Sequence, residues 1–80
     1  MLVLMPMNLE EFTKEKLWLL LVATVHTAVM YPSHKSYIRD VILQEKPDVT
    51  ATELANRLNM SIGEALVILD ELGEERKTPA

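Results

Sequence analysis

The sequence predicts a single all-α domain, in which a long N-terminal helix precedes three shorter helices. Apolar residues recur at helical spacing along most of the chain, and only two Gly and four Pro interrupt its 80 residues. A Ser/Thr-x-x-Glu capping signature occurs twice, at Thr50–Glu53 and at Ser61–Glu64. A domain of this length buries little apolar surface by itself, so we expect the chain to self-associate.

Several classes of function are excluded by composition and motif content. The sequence has no cysteine, which excludes disulfides and thiolate metal sites and favours a reducing, cytoplasmic setting. No phosphate-binding glycine loop or nucleophile motif occurs, so we expect no enzyme activity, no cofactor and no metal. The apolar stretch from Leu17 to Met30 is too short for a bilayer span, so no membrane partner is expected. We interpret His26, within that stretch, as a buried or interfacial structural histidine.

The first helix is predicted to occupy residues 8–30, after a tail of residues 1–7. Asn8 and Glu11 have the spacing of a capping pair, and Pro32 is expected to end the helix near Met30. Apolar side chains cover most of the circumference of this helix, which a domain this small cannot bury alone. We therefore expect a homodimer through this helix. The interface candidates are Trp18, Leu21 and Val25.

Three further helices are predicted between residues 33 and 73. The second runs from about His34 to Glu45, with an apolar stripe of Tyr37, Ile38, Val41 and Ile42. After the break at Lys46-Pro47-Asp48, the third helix starts at the Thr50 capping box and reaches Leu58. The fourth helix starts after Ser61 and is expected to stop at Gly73 in a left-handed conformation, leaving residues 74–80 as a frayed tail.

The run Glu53-Leu54-Ala55-Asn56-Arg57-Leu58-Asn59-Met60-Ser61, followed by Ala65 and the Leu72-Gly73 ending, resembles helix-turn-helix and winged-helix transcription regulators. Ile42-Leu43 and the Pro47 break resemble the lead-in of the same family, and the resemblance covers about residues 37–75. It implies a three-helix helix-turn-helix, winged-helix-like unit. The family's turn glycine is replaced by Asn59, which tolerates the left-handed conformation. Too few residues follow Leu72 for a wing hairpin.

The resemblance implies a homodimeric regulator that binds double-stranded DNA. Its DNA-contact candidates are the cations Lys35, Arg39 and Arg57 and the start of the fourth helix, Ser61, Ile62 and Gly63. The formal net charge of -4 opposes phosphate binding, and the fourth helix carries apolar Leu66 and Val67 where base-reading side chains are expected. An alternative therefore stays open, in which Leu66 and Val67 contact protein and the fold is an interaction or adaptor module without DNA binding.

Overall fold

The computed structural model describes residues 13–77 and contains four helices. Helix α1 is Lys14–His26, α3 is Ala51–Leu58 and α4 is Ile62–Lys77. Helix α2 has three continuous parts: α-helical Tyr31–Tyr37, a π-helical turn Ile38–Ile42, and α-helical Leu43–Glu45. No strand occurs between residues 13 and 77, so the predicted all-α class is confirmed. In that same range no helix is long and apolar enough to cross a membrane.

Helix α1 is shorter than the predicted helix at both ends. It begins at Lys14, where the Thr13 hydroxyl accepts a hydrogen bond from Lys16 N–H at 3.2 Å. It ends at His26 rather than Met30 because the threonine hydroxyls compete for helix carbonyls: Thr27 Oγ1 donates to Thr24 O at 2.6 Å. The predicted tail of residues 1–7 and the Asn8–Glu11 cap lie outside the described residues.

Helix α2 begins at Tyr31, three residues before the predicted start. Pro32 lies in its first turn, where a missing N–H costs no helical hydrogen bond, so the proline starts the helix instead of breaking the chain there. Within the π-helical turn, Leu43 N–H reaches back to Ile38 O. Ile38 and Ile42 are fully buried as predicted, whereas Tyr37 is exposed and does not belong to the apolar stripe.

The corner between α3 and α4 has the predicted geometry. Thr50 Oγ1 accepts from Glu53 N–H at 3.1 Å, and the Glu53 carboxylate accepts from Thr50 N–H at 3.0 Å, which completes a capping box. Asn59 ends α3 in the left-handed region, at φ 55° and ψ 50°. Ser61 Oγ accepts from Glu64 N–H at 3.0 Å, but the Glu64 side chain binds His34 and does not complete a second box.

Helix α4 continues through Gly73 to Lys77, so the predicted stop at Gly73 is wrong. Gly73 has a negative φ, as have all the described glycines. Tertiary contacts hold the extra turn in place. Lys35 Nζ of α2 lies 2.8 Å from Glu75 Oε2 and 3.4 Å from Glu71 Oε1. Of the predicted tail, residues 74–77 are therefore helical, and residues 78–80 lie outside the described range.

The core lies between α2, α3 and α4. Small Ala65 is fully buried and Ala55 is half-buried, as expected for closely packed helices. Val49, in the loop before α3, closes one side of the core. Leu54 of α3 is fully buried. The buried cluster is Ile38, Ile42, Val49, Leu54, Ala65, Ile68 and Leu72.

The helical conformation of Gly73 predicts that Gly73→Ala stabilises the protein. An added Cβ meets no atom within 4 Å, and alanine favours a helix interior over glycine by about 0.5–1 kcal/mol. Urea unfolding of the full chain should show this gain. In the contrasting variant Gly63→Ala the new Cβ would come within 3.0 Å of Leu21 Cδ1, so its gain should be smaller. A loss of stability in Gly73→Ala would instead indicate a left-handed glycine.

Candidate nucleic-acid interface

The exposed side of α4 is the surface that a helix-turn-helix unit would present to a DNA groove. Residues four apart share one side of a helix, and the exposed set is Ile62, Leu66, Asp70 and Glu74. Ile62 is 50% exposed and Leu66 is 44% exposed. This stripe is apolar near the start of the helix and acidic further along. It holds no arginine, lysine, asparagine or glutamine, the side chains that bind purine edges in a bidentate manner.

Helix α1 covers the neighbouring side of α4. A Cβ built on Gly63 would lie 3.0 Å from Leu21 Cδ1, so Leu21 packs directly over this glycine. Val67, one turn further along α4, is fully buried, and Val25 of α1 is buried as well. The prediction that Val67 is available to a partner protein is therefore wrong, whereas Leu66 is exposed. Gly63 is likewise only partly accessible, because α1 lies over it.

The three predicted dimer-interface residues belong to the inward side of α1. Val25 is buried within the chain, and Trp18 and Leu21 are half-buried. The outward side of α1 carries different apolar residues. Sequence periodicity could not tell the inward side from the outward side, because both are apolar. Leu17, Leu19 and Leu20 are 44%, 60% and 49% exposed. Among the described residues of α1, these three leucines are therefore the exposed large apolar side chains.

The three cations proposed for phosphate contact differ in how closely carboxylates of the same chain bind them. Lys35 forms ion pairs with Glu71 and Glu75 of α4, and its side chain is largely buried. It therefore links α2 to α4. Arg39 donates through Nε and Nη2 to the Asp40 carboxylate, at 2.9 and 3.2 Å. Arg57, in the last turn of α3, is half-exposed and its ion pair to Glu45 measures 3.9 Å. Arg57 is therefore the least constrained of the three and the nearest in sequence to the α3–α4 turn.

Two histidine–carboxylate pairs hold α4 against the N-terminal half of the chain. His34 Nδ1 lies 2.8 Å from Glu64 Oε2, and Glu64 is buried. His26 Nε2 lies 2.6 Å from Glu71 Oε2, and Tyr31 O–H donates to Glu71 Oε1 at 2.6 Å. His26 is exposed, so the buried alternative of its interpretation is wrong, but it does have a structural contact, to the Glu71 carboxylate. Because each carboxylate serves a partner from α1 or α2, these contacts set how the helices lie on α4.

The electrostatics of the Glu71 cluster favour the ionised carboxylate. Burial raises the pKa of Glu71, but hydrogen bonds from Tyr31 and His26 and the charge of Lys35 outweigh burial and lower the pKa below its usual value. Burial and the hydrogen bond to Glu71 raise the pKa of the Tyr31 phenol. Burial alone would lower the pKa of Lys35, yet Glu75 and Glu71 raise it above its usual value. The ionic form of the cluster is therefore the stable one at neutral pH.

Sequence reasoning missed these pairs because their members are distant along the chain. His26 and Glu71 are 45 residues apart, and His34 and Glu64 are 30 residues apart. Local spacing rules compare residues three or four positions apart and find no partner for either histidine. The only local signal was the i to i+7 spacing of Glu64 and Glu71, which places both on one side of α4. Within residues 13–77, no group of three or more potential metal ligands is assembled.

A comparison with protein families agrees with this geometry. Residues 42–76 match the family model described as winged helix-turn-helix DNA-binding. The match confirms the resemblance read from the sequence, over nearly the same residues, and it includes the whole of α3 and all but the last residue of α4. Comparisons with curated proteins and with solved structures found no match. This segment of the chain is thus a helix-turn-helix unit similar to that family of DNA-binding domains.

The low pKa of Glu71 predicts an acid-sensitive contribution to stability. A carboxylate whose pKa is lower in the folded state stabilises the fold at pH values above its pKa in the unfolded chain, here 4.5. This stabilisation is lost as the pH falls through the folded-state pKa. Glu71→Gln should therefore unfold at lower urea concentration than the wild type at neutral pH. The difference should shrink steadily as the pH falls below 4.5.

The matched control for Glu71→Gln is Asp70→Asn, which neutralises an exposed carboxylate on the same helix. Asp70 forms no ion pair with any residue between 13 and 76, so this variant should match the wild type closely across the pH range. If Glu71→Gln and Asp70→Asn behave alike at every pH, the Glu71 cluster does not stabilise the fold.

Proposed function

We propose that this chain is a homodimeric DNA-binding transcription regulator of the helix-turn-helix type. The observation that carries the proposal is the match of residues 42–76 to a DNA-binding family, on a segment whose turn is the left-handed Asn59 corner. In this arrangement α3 lies across the DNA backbone and the start of α4 approaches the major groove. The family supports double-stranded DNA as a partner.

Phosphate contacts are assigned to the region around the α3–α4 turn. Arg57 has a half-exposed guanidinium with only a long ion pair to Glu45, so it can exchange that partner for a phosphate. Ser61 is exposed, and the first N–H groups of α4, at Ile62 and Gly63, lie at the positive end of the helix dipole. Lys35 is left out of our contact set because Glu75 holds it, and Arg39 is left out because it lies beside Glu75 and Arg76, at the end of α4 far from the turn.

Base contacts by α4 would be apolar. Ile62 and Leu66 are exposed near the start of the helix, and apolar side chains contact the methyl group of thymine in the major groove. Asp70 lies one turn further along and faces phosphate with like charge. We therefore propose that binding depends on phosphate contacts and discriminates weakly between sequences.

The DNA proposal predicts a selective effect of Arg57→Ala. Fluorescence anisotropy with a mixed-sequence duplex should show binding that weakens steeply between about 50 and 200 mM salt. Arg57→Ala should lower the affinity and reduce the slope of log K against log salt by about one. The matched control is Arg76→Ala at the far end of α4, which should bind like the wild type. Equal losses in both variants would contradict a contact at the turn.

The homodimer is proposed to form through the outward side of α1. Leu17, Leu19 and Leu20 form an exposed apolar surface that no described residue covers, and such a surface on a small domain favours association with a second copy. A two-fold pairing of α1 helices would bury these leucines. It would also supply the apolar burial that one 80-residue chain lacks.

The dimer proposal predicts that Leu17→Gln combined with Leu20→Gln produces a monomer. Both residues are exposed, so the fold of each chain should survive while the interface is lost, and sedimentation equilibrium at micromolar concentration measures the mass directly. Val29→Gln is the control, because Val29 is 90% exposed but lies in the turn after α1. A monomeric wild type at micromolar concentration would overturn the dimer.

A second candidate function follows from the exposed stripe of α4. Ile62 and Leu66 present an apolar surface followed by Asp70 and Glu74, which suits a protein partner better than a polyanion. In that case the helix-turn-helix fold is an interaction or adaptor module. Absence of DNA binding at about 50 mM salt, by a chain that is folded in circular dichroism, would favour this function over the first.

A further inference from the structure

A groove of about 500 Å³ separates the π-helical turn of α2 from the C-terminal half of α4. This volume lies within the range of small-molecule sites in proteins. Its apolar lining includes buried Leu72 and half-buried Leu43, so a ligand would displace water from hydrocarbon surface. The full lining is Arg39, Leu43, Gln44, Pro47, Leu72, Glu75 and Arg76.

The two guanidinium groups of the groove retain free donors. Arg39 uses Nε and Nη2 to bind Asp40, which leaves its Nη1 amino group for another acceptor. Arg76 forms no ion pair with any residue from 13 to 75. Arginine presents its N–H groups in a planar fork that matches the two oxygens of a carboxylate. The polar lining of the groove is therefore suited to an anion.

The charge balance at the groove selects a singly charged anion. Glu75 also lines it, but its carboxylate is bound by Lys35 Nζ at 2.8 Å. Among the residues that line the groove, two cations, Arg39 and Arg76, face one carboxylate, Glu75. The net charge is thus +1. A second negative charge on a ligand would meet Glu75 or Asp40 without a free cation to balance it.

We propose that this groove binds a monocarboxylate carried on a small apolar body. The carboxylate pairs with Arg76 and with Nη1 of Arg39, and the apolar body lies against Leu43, Pro47 and Leu72. The Arg39 side of the groove is built by the π-helical turn Ile38–Ile42, a rare conformation that is frequent at functional sites. This site is separate from the proposed DNA contacts, which lie at the other end of α4.

The experiment is an NMR titration of the ¹⁵N-labelled full chain without DNA. The probes are hexanoate and phenylacetate, and their neutral amides, hexanamide and phenylacetamide, are the matched ligand controls. We expect saturable shifts of the Leu43, Gln44 and Leu72 amide resonances with the carboxylates. The amides should bind at least about tenfold more weakly, which is the loss of a charge-assisted pair of about 1.4 kcal/mol.

The variant arm of the titration is Arg39→Gln combined with Arg76→Gln. Both side chains are exposed, so this variant should keep its spectrum elsewhere while its carboxylate affinity falls at least about tenfold. The proposal is overturned if neither carboxylate shifts these resonances at about 10 mM, well above a millimolar Kd. It is also overturned if the amides bind as well as the acids, or if the shifts lie outside the groove. Because DNA is absent, the result is independent of the proposed DNA binding.

Discussion

The packing of α4 is the constraint on which the rest of the structure depends. Ala65, Ile68 and Leu72 bury one side of this helix against α2 and α3, and Val67 is buried on the side where α1 packs. Removing any of the other helices would expose part of a core that contains α4. Because a single helix supplies apolar contacts to every other element, its position determines both the core and the surface that remains outside.

Two buried or half-buried carboxylates on α4 give that packing its specificity. Apolar burial alone tolerates sliding of one helix along another, whereas Glu64 and Glu71 need particular partners at particular positions. His34 reaches the first carboxylate, and His26 and Tyr31 reach the second. These contacts fix where α1 and α2 cross α4. The ion pair of Lys35 with Glu75 holds the helical turn beyond Gly73.

The same packing limits the surface of α4 that is free to contact a partner. A helix-turn-helix protein uses the outer side of its second motif helix to contact a partner. Here α1 lies over Gly63, and the outer stripe that remains has Ile62 and Leu66 near its start. In the proposed function, DNA binding therefore relies on phosphate contacts around Arg57 and on apolar contacts to bases. The cations of α2, in contrast, serve the fold through α4 or line the groove beside it.

The sequence by itself determined the features that arise within a few residues of the chain. The Thr50–Glu53 capping box and the left-handed Asn59 turn are local patterns with local causes, and both were predicted. Tertiary structure decided the rest. It kept Gly73 helical and turned Val67 inward, because these outcomes depend on contacts between residues far apart along the chain, such as Lys35 with Glu75 and Leu21 with Gly63. The periodicity of apolar residues indicates that one side of a helix is apolar, but only packing determines which neighbouring helix covers that side.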